Sequence, residues 1–362
     1  MPSYRVFATC DIGQEALHRL VERGYQLEVY DQIEAPPKQL IVEKVRSGID
    51  GLITTLRDPI DEEVLAAGAG TLKVIAQDAV GFDNIDRSAA NRLKIPFSNT
   101  ADVLTDATAE FAFFIMGALA RRLYSSEQMV REKRWKCWHP YLPFLGDEVT
   151  GKTVGVIGTG RIGKAFVIKC SGMEVDLLLH DPVTQDHEFV RDVQALFDLR
   201  VRCHLTHRRN TIRYTSLEEA LRDSDYVSLH VPLTARTRHM IADDQLAMMK
   251  STAYLVNTSR GPVVDEEALY RALKGGLIAG AALDVFEKEP LPDDSPLRDP
   301  ELTERLRLFH HFASAGRQTR LSPDPEIGMA GRCIQALIDV LESNYDGDPR
   351  RMPYVVNKEA FG

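Results

Sequence analysis

A glycine-rich segment near the middle of the chain has the residue types and spacing that dinucleotide binding requires. Gly158, Gly160 and Gly163 follow a short apolar run at residues 154–157, and Asp181 ends the next apolar run, 18 residues after Gly163. Such glycines allow a tight turn, close approach of the backbone to a pyrophosphate and packing of a helix on its strand. The helix N-terminus attracts the phosphates, and an acid at this spacing binds the ribose hydroxyls. An acid there also repels a 2′-phosphate, so the pattern predicts NAD rather than NADP.

Three polar residues in the second half of the chain lie at or just past the ends of predicted strands. Arg260 follows a strand predicted at residues 253–257, Glu289 follows one at 280–285, and His311 ends one at 306–311. Parallel sheets present ligands at the carboxyl ends of their strands. Any one of these residues alone is more often structural. Their shared position predicts that they converge beside a bound nicotinamide.

The elements around these residues alternate between strand and helix, through residues 4–100 and again from residue 216 onward. Alternation at this spacing predicts α/β domains with parallel sheets covered by helices on both sides. A length of 362 residues indicates two domains. The first stretch has no glycine fingerprint, so we expect its loops to hold the substrate and not the dinucleotide.

The remaining segments interrupt this alternation. Residues 102–123 are expected to form one long helix, followed by an irregular, aromatic arm at 124–150 that is typical of an interface. Residues 184–213 resemble a charged surface insertion. We expect this insertion to be a solvated loop rather than an anion-binding site. We expect residues 325–343 to form a helix that folds back onto the first domain, and residues 344–362 to be loosely structured. The basic residues of the predicted insertion are Arg200, Arg202, Arg208, Arg209 and Arg213.

Composition argues against several classes of partner. The chain is 44% hydrophobic and 27% charged, with a net charge of −9, so nucleic acid and anionic membranes are disfavoured as partners. The five cysteines are scattered without a CxxC pair, which predicts neither a metal site nor a disulfide framework. The N-terminus lacks a signal-peptide core, and the most apolar stretch, residues 111–120, is too short to span a bilayer. A cytoplasmic location is expected.

Several motifs in combination resemble the D-isomer-specific 2-hydroxyacid dehydrogenase family. They are AVGFDNID (79–86), VLTDATAE (103–110), TVGVIGTGRIGKA (153–165), SDYVSLHVPLTARTRHMI (224–241), LVNTSRGPVVDEEAL (255–269), IAGAALDVFEKEP (278–290) and HHFASAGRQTR (310–320). WKCWHP (135–140) is similar to the glyoxylate/hydroxypyruvate reductase branch. The resemblance implies a Rossmann-type NAD-binding domain at residues 103–317, inserted into a smaller flavodoxin-like domain formed by residues 1–102 and 318–362. It also implies a homodimer.

The resemblance further implies reversible reduction of a small 2-oxo acid to its D-2-hydroxy acid, with a role for each matching residue. His311 would be the acid–base, Glu289 would hold it protonated, and Arg260 would bind the substrate carboxylate. The backbone amides of Val80 and Gly81 would bind the same carboxylate. Trp138 would reach the substrate in the partner subunit. NAD would contact Gly158, Gly160, Arg161, Ile162, Gly163, Asp181, Val231, Pro232, Thr237, Thr258 and Asp284.

Elementary chemistry agrees with these roles. A guanidinium fork matches a carboxylate bidentately, and an anionic neighbour favours a protonated imidazole. The chain departs from the family where a proline usually precedes the catalytic histidine, because it has His310 before His311. His310 therefore remains an alternative acid–base.

Two other functions stay open at this point. A bulkier D-2-hydroxy acid is one, and small-domain residues such as Leu56, Arg57 and Phe82 would decide it. A non-catalytic, NAD-sensing protein of the same family is the other, because that branch can keep the same arginine, glutamate and histidine.

Overall fold

The computed structural model describes residues 3–140 and 145–362. By its internal contacts the chain separates into two compact units. One comprises Met1–Leu104 and Ser314–Gly362, and the other comprises Thr105–Ala313.

The strands are short, and most residues of the strands in the interior of each sheet are buried. They are β1 (Arg5–Ala8), β2 (Gln26–Val29), β3 (Gly51–Thr54), β4 (Val74–Gln77), β5 (Phe97–Ser98), β6 (Thr153–Ile157), β7 (Asp176–His180), β8 (Ile212–Tyr214), β9 (Tyr226–Leu229), β10 (Tyr254–Asn257), β11 (Gly280–Leu283) and β12 (Leu306–Leu308).

The α-helices connect these strands and close each unit. They are α1 (Gln14–Glu22), α2 (Lys38–Arg46), α3 (Glu62–Ala67), α4 (Arg87–Leu93), α5 (Thr105–Ala120), α6 (Leu123–Arg131), α7 (Arg161–Ser171), α8 (His187–Arg202), α9 (Leu217–Asp223), α10 (Asp243–Met248), α11 (Glu266–Lys274), α12 (Arg317–Leu321) and α13 (Met329–Leu341).

Each unit is built on one parallel sheet. The smaller unit has the strand order β2-β1-β3-β4-β5, and the larger has β12-β11-β10-β9-β6-β7-β8. Each sheet separates two apolar clusters. In the larger unit Leu255 and Val256 of β10 belong to opposite clusters, and in the smaller unit so do Val74 and Ile75 of β4. Strands covered on both faces read as continuous apolar runs. The predicted α/β fold class with two parallel sheets is confirmed.

Side-chain caps define several helix starts. Asp61, Asp86, Asp186, Ser216 and Asp265 each accept a hydrogen bond from the backbone N–H three residues later. Such caps satisfy N–H groups that have no partner within the helix. The C-terminal helix α13 packs on α1 and β4 within the smaller unit, as the sequence predicted.

The prediction of one helix over residues 102–123 was wrong at its C-terminal end. Helix α5 stops at Ala120, and Arg122 adopts a left-handed conformation with φ 48° before α6 begins. Residues 123–131 are therefore helical, although the sequence analysis placed most of them in an irregular arm. Helix α5 itself packs in the core of the larger unit.

The predicted insertion at residues 184–213 is a regular crossover. Helix α8 begins at the Asp186 cap, buries Val193 and Phe197, and leads to strand β8, which pairs with β7. The charged residues occupy the opposite, exposed side of this amphipathic helix. Because they are numerous, the apolar spacing is hard to recognise in the sequence. Within the predicted basic patch, Arg213 forms an ion pair with Glu219.

The tail at residues 344–362 is also more ordered than predicted. Val355 forms an antiparallel bridge with Ser98 at the open side of β5. The buried Asn357 side chain accepts from the Phe97 N–H at 3.0 Å and donates to Asn91 and to the Ile95 carbonyl. Among the described residues, no helix is long and apolar enough to span a bilayer.

Candidate active site

The glycine turn between β6 and α7 has the geometry of a phosphate-binding loop. Gly158 has φ 94°, and a Cβ there would lie 2.6 Å from the His230 carbonyl oxygen. A Cβ on Gly163 would lie 2.0 Å from the Gly158 carbonyl oxygen, so the helix can approach its strand only with glycine. Gly160 faces open space, with no atom within 4 Å of where its Cβ would be. That opening, beside the first turn of α7, fits a bound pyrophosphate.

Asp181 follows β7 and is held ionised by backbone donors. Its Oδ2 accepts from the Thr159 N–H at 3.0 Å, and its Oδ1 accepts from the N–H groups of Val183 and Thr184, each at 2.9 Å. Partial burial would raise the pKa of Asp181, but these backbone hydrogen bonds hold it below its ordinary value. A fixed carboxylate at this position fits a ribose diol and disfavours a 2′-phosphate.

His311 and Glu289 form a hydrogen-bonded pair at the carboxyl edge of the larger sheet. Nδ1 of His311 lies 2.8 Å from Oε2 of Glu289, and Oε1 of Glu289 accepts from the Phe286 N–H at 3.0 Å. Burial opposes ionisation of Glu289, but the His311 hydrogen bond and charge, with help from Arg260, bring the pKa of Glu289 below its ordinary value. The side chain of His310 is exposed, and its ring lies 5.2 Å from that of Phe312.

The segment that carries His311 is fixed by Asp284. The His311 N–H donates to the Asp284 carbonyl at 2.8 Å, and the Asp284 carboxylate accepts from the N–H groups of Phe312 at 2.6 Å and Ala313 at 2.8 Å. Asp284 is fully buried, and this burial raises its pKa while the two N–H donors oppose the rise. His311 has φ 55°, so these contacts hold a backbone conformation that histidine seldom adopts.

Arg260 lies on a turn that is ordered by the preceding asparagine. Asn257 accepts from the N–H and hydroxyl of Ser259 at 3.0 and 2.7 Å, and donates to the Arg260 carbonyl at 3.0 Å. A Cβ on Gly261 would lie 1.8 Å from the Phe286 carbonyl carbon, so the turn packs directly on the loop after β11. The strands that precede Arg260, Glu289 and His311 are the neighbours β10, β11 and β12.

The other residues predicted to bind the cofactor lie at the same carboxyl edge of the larger sheet. Val231 packs beside Gly158, and the Thr237 hydroxyl closes a turn by donating to the Pro232 carbonyl at 2.6 Å. Thr258 is 8% exposed, and its buried hydroxyl has no hydrogen-bond partner among the residues that the structure describes. A buried hydroxyl without a partner fits a polar group of a ligand. Arg161 and Ile162 begin α7.

The remaining predicted substrate residues belong to other segments of the chain. Val80 and Gly81 follow β4 in the smaller unit. Trp138 is 81% exposed on the segment that precedes residues 141–144. Those four residues, which the sequence analysis included in the aromatic arm, lie outside the described part of the chain. Arg57 donates to the carbonyls of Ile33 and Thr9.

Sequence reasoning missed the residues that position these groups. Asn257 and the backbone contacts of Asp284 did not enter the prediction, because side-chain bonds to a local backbone are visible only once the loop conformation is known. Asn257 lies in the same NTSRG motif as Arg260. Its place in this motif was the only feature of the sequence that pointed to a role for Asn257.

Comparison with known proteins places the chain in a family. Residues 113–312 match the NAD-binding domain of the D-isomer specific 2-hydroxyacid dehydrogenases. A glyoxylate reductase of Korarchaeum cryptofilum is 44% identical over 317 residues, which cover 87% of this chain and 88% of that protein. The TT0316 protein of Thermus thermophilus superposes with a TM-score of 0.81 at 36% identity, covering 97% and 99% of the two chains.

A D-lactate dehydrogenase of Aquifex aeolicus, solved with NAD and lactic acid, has a TM-score of 0.76 at 26% identity, covering 98% and 99%. The chain belongs to the D-isomer specific 2-hydroxyacid dehydrogenase family. It is accordingly an NAD-dependent oxidoreductase, as the sequence predicted.

Proposed function

We propose that the chain reduces small 2-oxo acids, such as glyoxylate and hydroxypyruvate, to D-2-hydroxy acids with NADH. The observation that carries this proposal is the 2.8 Å contact between His311 and Glu289. These residues follow β12 and β11, and β11 is the neighbour of β10, the strand that precedes Arg260. The similarity to glyoxylate reductases supports the choice of a small substrate.

The cofactor would lie along the carboxyl edge of the larger sheet. Gly160 and the first turn of α7 would hold the pyrophosphate, Asp181 the ribose, and Thr258 the nicotinamide end. When bound, NADH supplies the hydride that reduces the 2-oxo carbon. Further contacts would come from Gly158, Arg161, Ile162, Gly163, Val231, Pro232, Thr237 and Asp284.

The substrate carboxylate would be bound by Arg260 and by the N–H groups of Val80 and Gly81. A guanidinium offers two parallel N–H donors to a carboxylate, which a lysine cannot do. Binding the carboxylate at several points fixes the direction in which the neighbouring keto group faces, and such orientation is a large part of catalysis.

His311 would give a proton to the keto oxygen during reduction and take it back during oxidation. Because its Nδ1 faces Glu289, Nε2 is the nitrogen that would exchange the proton. The hydrogen bond between Nδ1 and the Glu289 carboxylate sets the orientation of the ring. General acid catalysis of this kind contributes about 10²–10⁴ in rate. We assign the role to His311 and not to His310, because His311 is the one of these two histidines that forms a hydrogen bond with the Glu289 carboxylate.

We also propose a homodimer in which Trp138 contributes to the partner's active site. The segment around it carries exposed apolar side chains. Trp135 is 58% exposed, Trp138 81% and Leu145 60%. Large aromatic groups in this exposed setting are typical of interfaces.

The five free cysteines favour a reducing compartment, which supports a cytoplasmic location.

The proposal is tested by following NADH and NADPH oxidation with a panel of 2-oxo acids. We expect the highest kcat/KM with glyoxylate or hydroxypyruvate and NADH. A higher value with phenylpyruvate would favour a dehydrogenase of bulkier substrates. NADH binding without turnover of any of these acids would overturn the proposal and favour an NAD-sensing protein.

A further inference from the structure

The loop that follows β4 presents consecutive backbone N–H groups without acceptors. Across residues 3–140 and 145–362, the N–H groups of Ala79, Val80, Gly81 and Phe82 donate to no protein oxygen. Successive backbone N–H groups that face one side form a binding site for anions.

The carbonyl groups of the same loop are all occupied. The Ala79 oxygen accepts from the Thr100 N–H at 2.9 Å. The Val80 oxygen accepts from Nδ2 of Asn99 at 2.8 Å, and the Gly81 oxygen accepts from Nε2 of Gln77 at 3.1 Å.

These carbonyl contacts determine where the N–H groups face. A trans peptide is planar, and its C=O and N–H point in opposite directions. Holding the Ala79 carbonyl therefore aims the Val80 N–H away from Thr100, and holding the Val80 carbonyl aims the Gly81 N–H away from Asn99. The contact from Gln77 fixes the next peptide in the same way.

We infer that Asn99 and Gln77 are positioning residues, which aim the amides of residues 80–82 at the substrate carboxylate before it binds. The inference rests on the proposed function, because it takes the anion to be the carboxylate of a 2-oxo acid. Donors fixed in advance need no reorganisation when the charge arrives, and binding is stronger for that reason.

Both positioning residues are themselves supported within the smaller unit. Nε2 of Gln77 also donates to Oδ1 of Asn84 at 2.7 Å, and Asn84 donates to the carbonyls of Thr55 and Asp58. Asn99 directly follows β5, the strand that the C-terminal tail holds through Val355 and Asn357. The tail therefore stabilises the strand from which Asn99 reaches the loop.

The test compares N99A and Q77L with the wild type and with N344A. The control removes an asparagine of the same unit whose amide donates to Asp339 at 2.9 Å, far along the chain from the loop. KM and kcat for glyoxylate are measured, together with calorimetric binding of glyoxylate to the NAD⁺-loaded protein. Thermal unfolding and NADH affinity report on folding and on the cofactor site.

We expect N99A and Q77L to raise KM and the glyoxylate dissociation constant about tenfold, comparable to the loss of one hydrogen bond to a charged group. kcat should change by less than about threefold, and N344A should match the wild type. Unchanged glyoxylate binding in N99A and Q77L would overturn the inference. If the wild type binds glyoxylate without reducing it, the proposed function fails, while weaker binding in the two variants still supports the positioning roles. A wild type that binds no glyoxylate would overturn both.

Discussion

Asp78 directly precedes the loop of residues 79–82, and burial disfavours the ionised form of its carboxyl group. Its Oδ1 is buried and accepts no hydrogen bond in the described chain. Burial raises the pKa of Asp78 to about 7, although Arg320 opposes the rise. The thiols of Cys10 and Cys333 lie near enough to feel its charge.

The raised pKa predicts a pH-dependent cost to stability. Between about pH 4 and pH 7 the unfolded chain releases this proton while the folded chain retains it, so the free energy of unfolding falls as pH rises through that window. We expect D78N to abolish this contribution and to be about 4 kcal/mol more stable than the wild type near pH 8, with nearly equal stability near pH 3.5. Urea unfolding across this range checks the prediction. Parallel pH curves for the two proteins would contradict it.

At the residue scale, the proposed catalytic residues could be predicted from the sequence, whereas the residues that position them could not. Arg260, Glu289 and His311 could be proposed from strand ends alone, since the carboxyl edge of a parallel sheet is implied by the pattern. Asn257 and Asn99 could not, because their contacts depend on loop conformations that no periodicity encodes. Asparagine in a loop has many equally plausible partners.

At the scale of the element, the glycine turn gives a prediction that separates folding from cofactor binding. Gly163 has no room for a Cβ, whereas Gly160 faces open space at φ −66°. We expect G163A to unfold at a lower temperature than the wild type and to lose NADH affinity. G160A should unfold at the wild-type temperature, yet bind NADH at least about tenfold more weakly, because the methyl group would occupy the space of the pyrophosphate.

Thermal unfolding with and without NADH measures both effects. Normal NADH binding by G160A, or wild-type stability of G163A, would contradict the roles given to these two glycines.

Helix α8 shows why an element with strong periodicity was still missed. Phe197 is 3% exposed and Val193 2%, four residues earlier, so an apolar stripe was present in the sequence. It is narrow, however, and charged residues surround it, including the basic residues near the C-terminus of the helix. This charged composition favours a loop, and the spacing of two apolar residues does not outweigh it. The C-terminal tail was missed for a different reason: its order comes from Asn357 and Val355 contacting β5, and such distant contacts leave no local pattern.

At the scale of the whole molecule, the proposed dimer predicts unequal roles for two neighbouring tryptophans. We expect W138A to raise KM for hydroxypyruvate about tenfold, as for the loss of an aromatic anchor, with unchanged NADH affinity. W135A is the matched control and should stay within about twofold of the wild type. Light scattering should give a wild-type mass of twice 40.6 kDa. A monomeric wild type, or equal effects of the two substitutions, would contradict the model of a shared site.

The proposed reaction depends on His311 as the group that exchanges a proton with the substrate. H311Q and H310Q form a matched pair, because the two histidines are adjacent and His311 is the one of the two that forms a hydrogen bond with Glu289. The decisive measurement is steady-state glyoxylate reduction and NADH affinity on the same preparations of the wild type and both variants. We predict that H311Q loses at least about 10²-fold in kcat with normal NADH binding, while H310Q stays within about threefold of the wild type. Full activity in H311Q, or the larger loss in H310Q, would contradict the account.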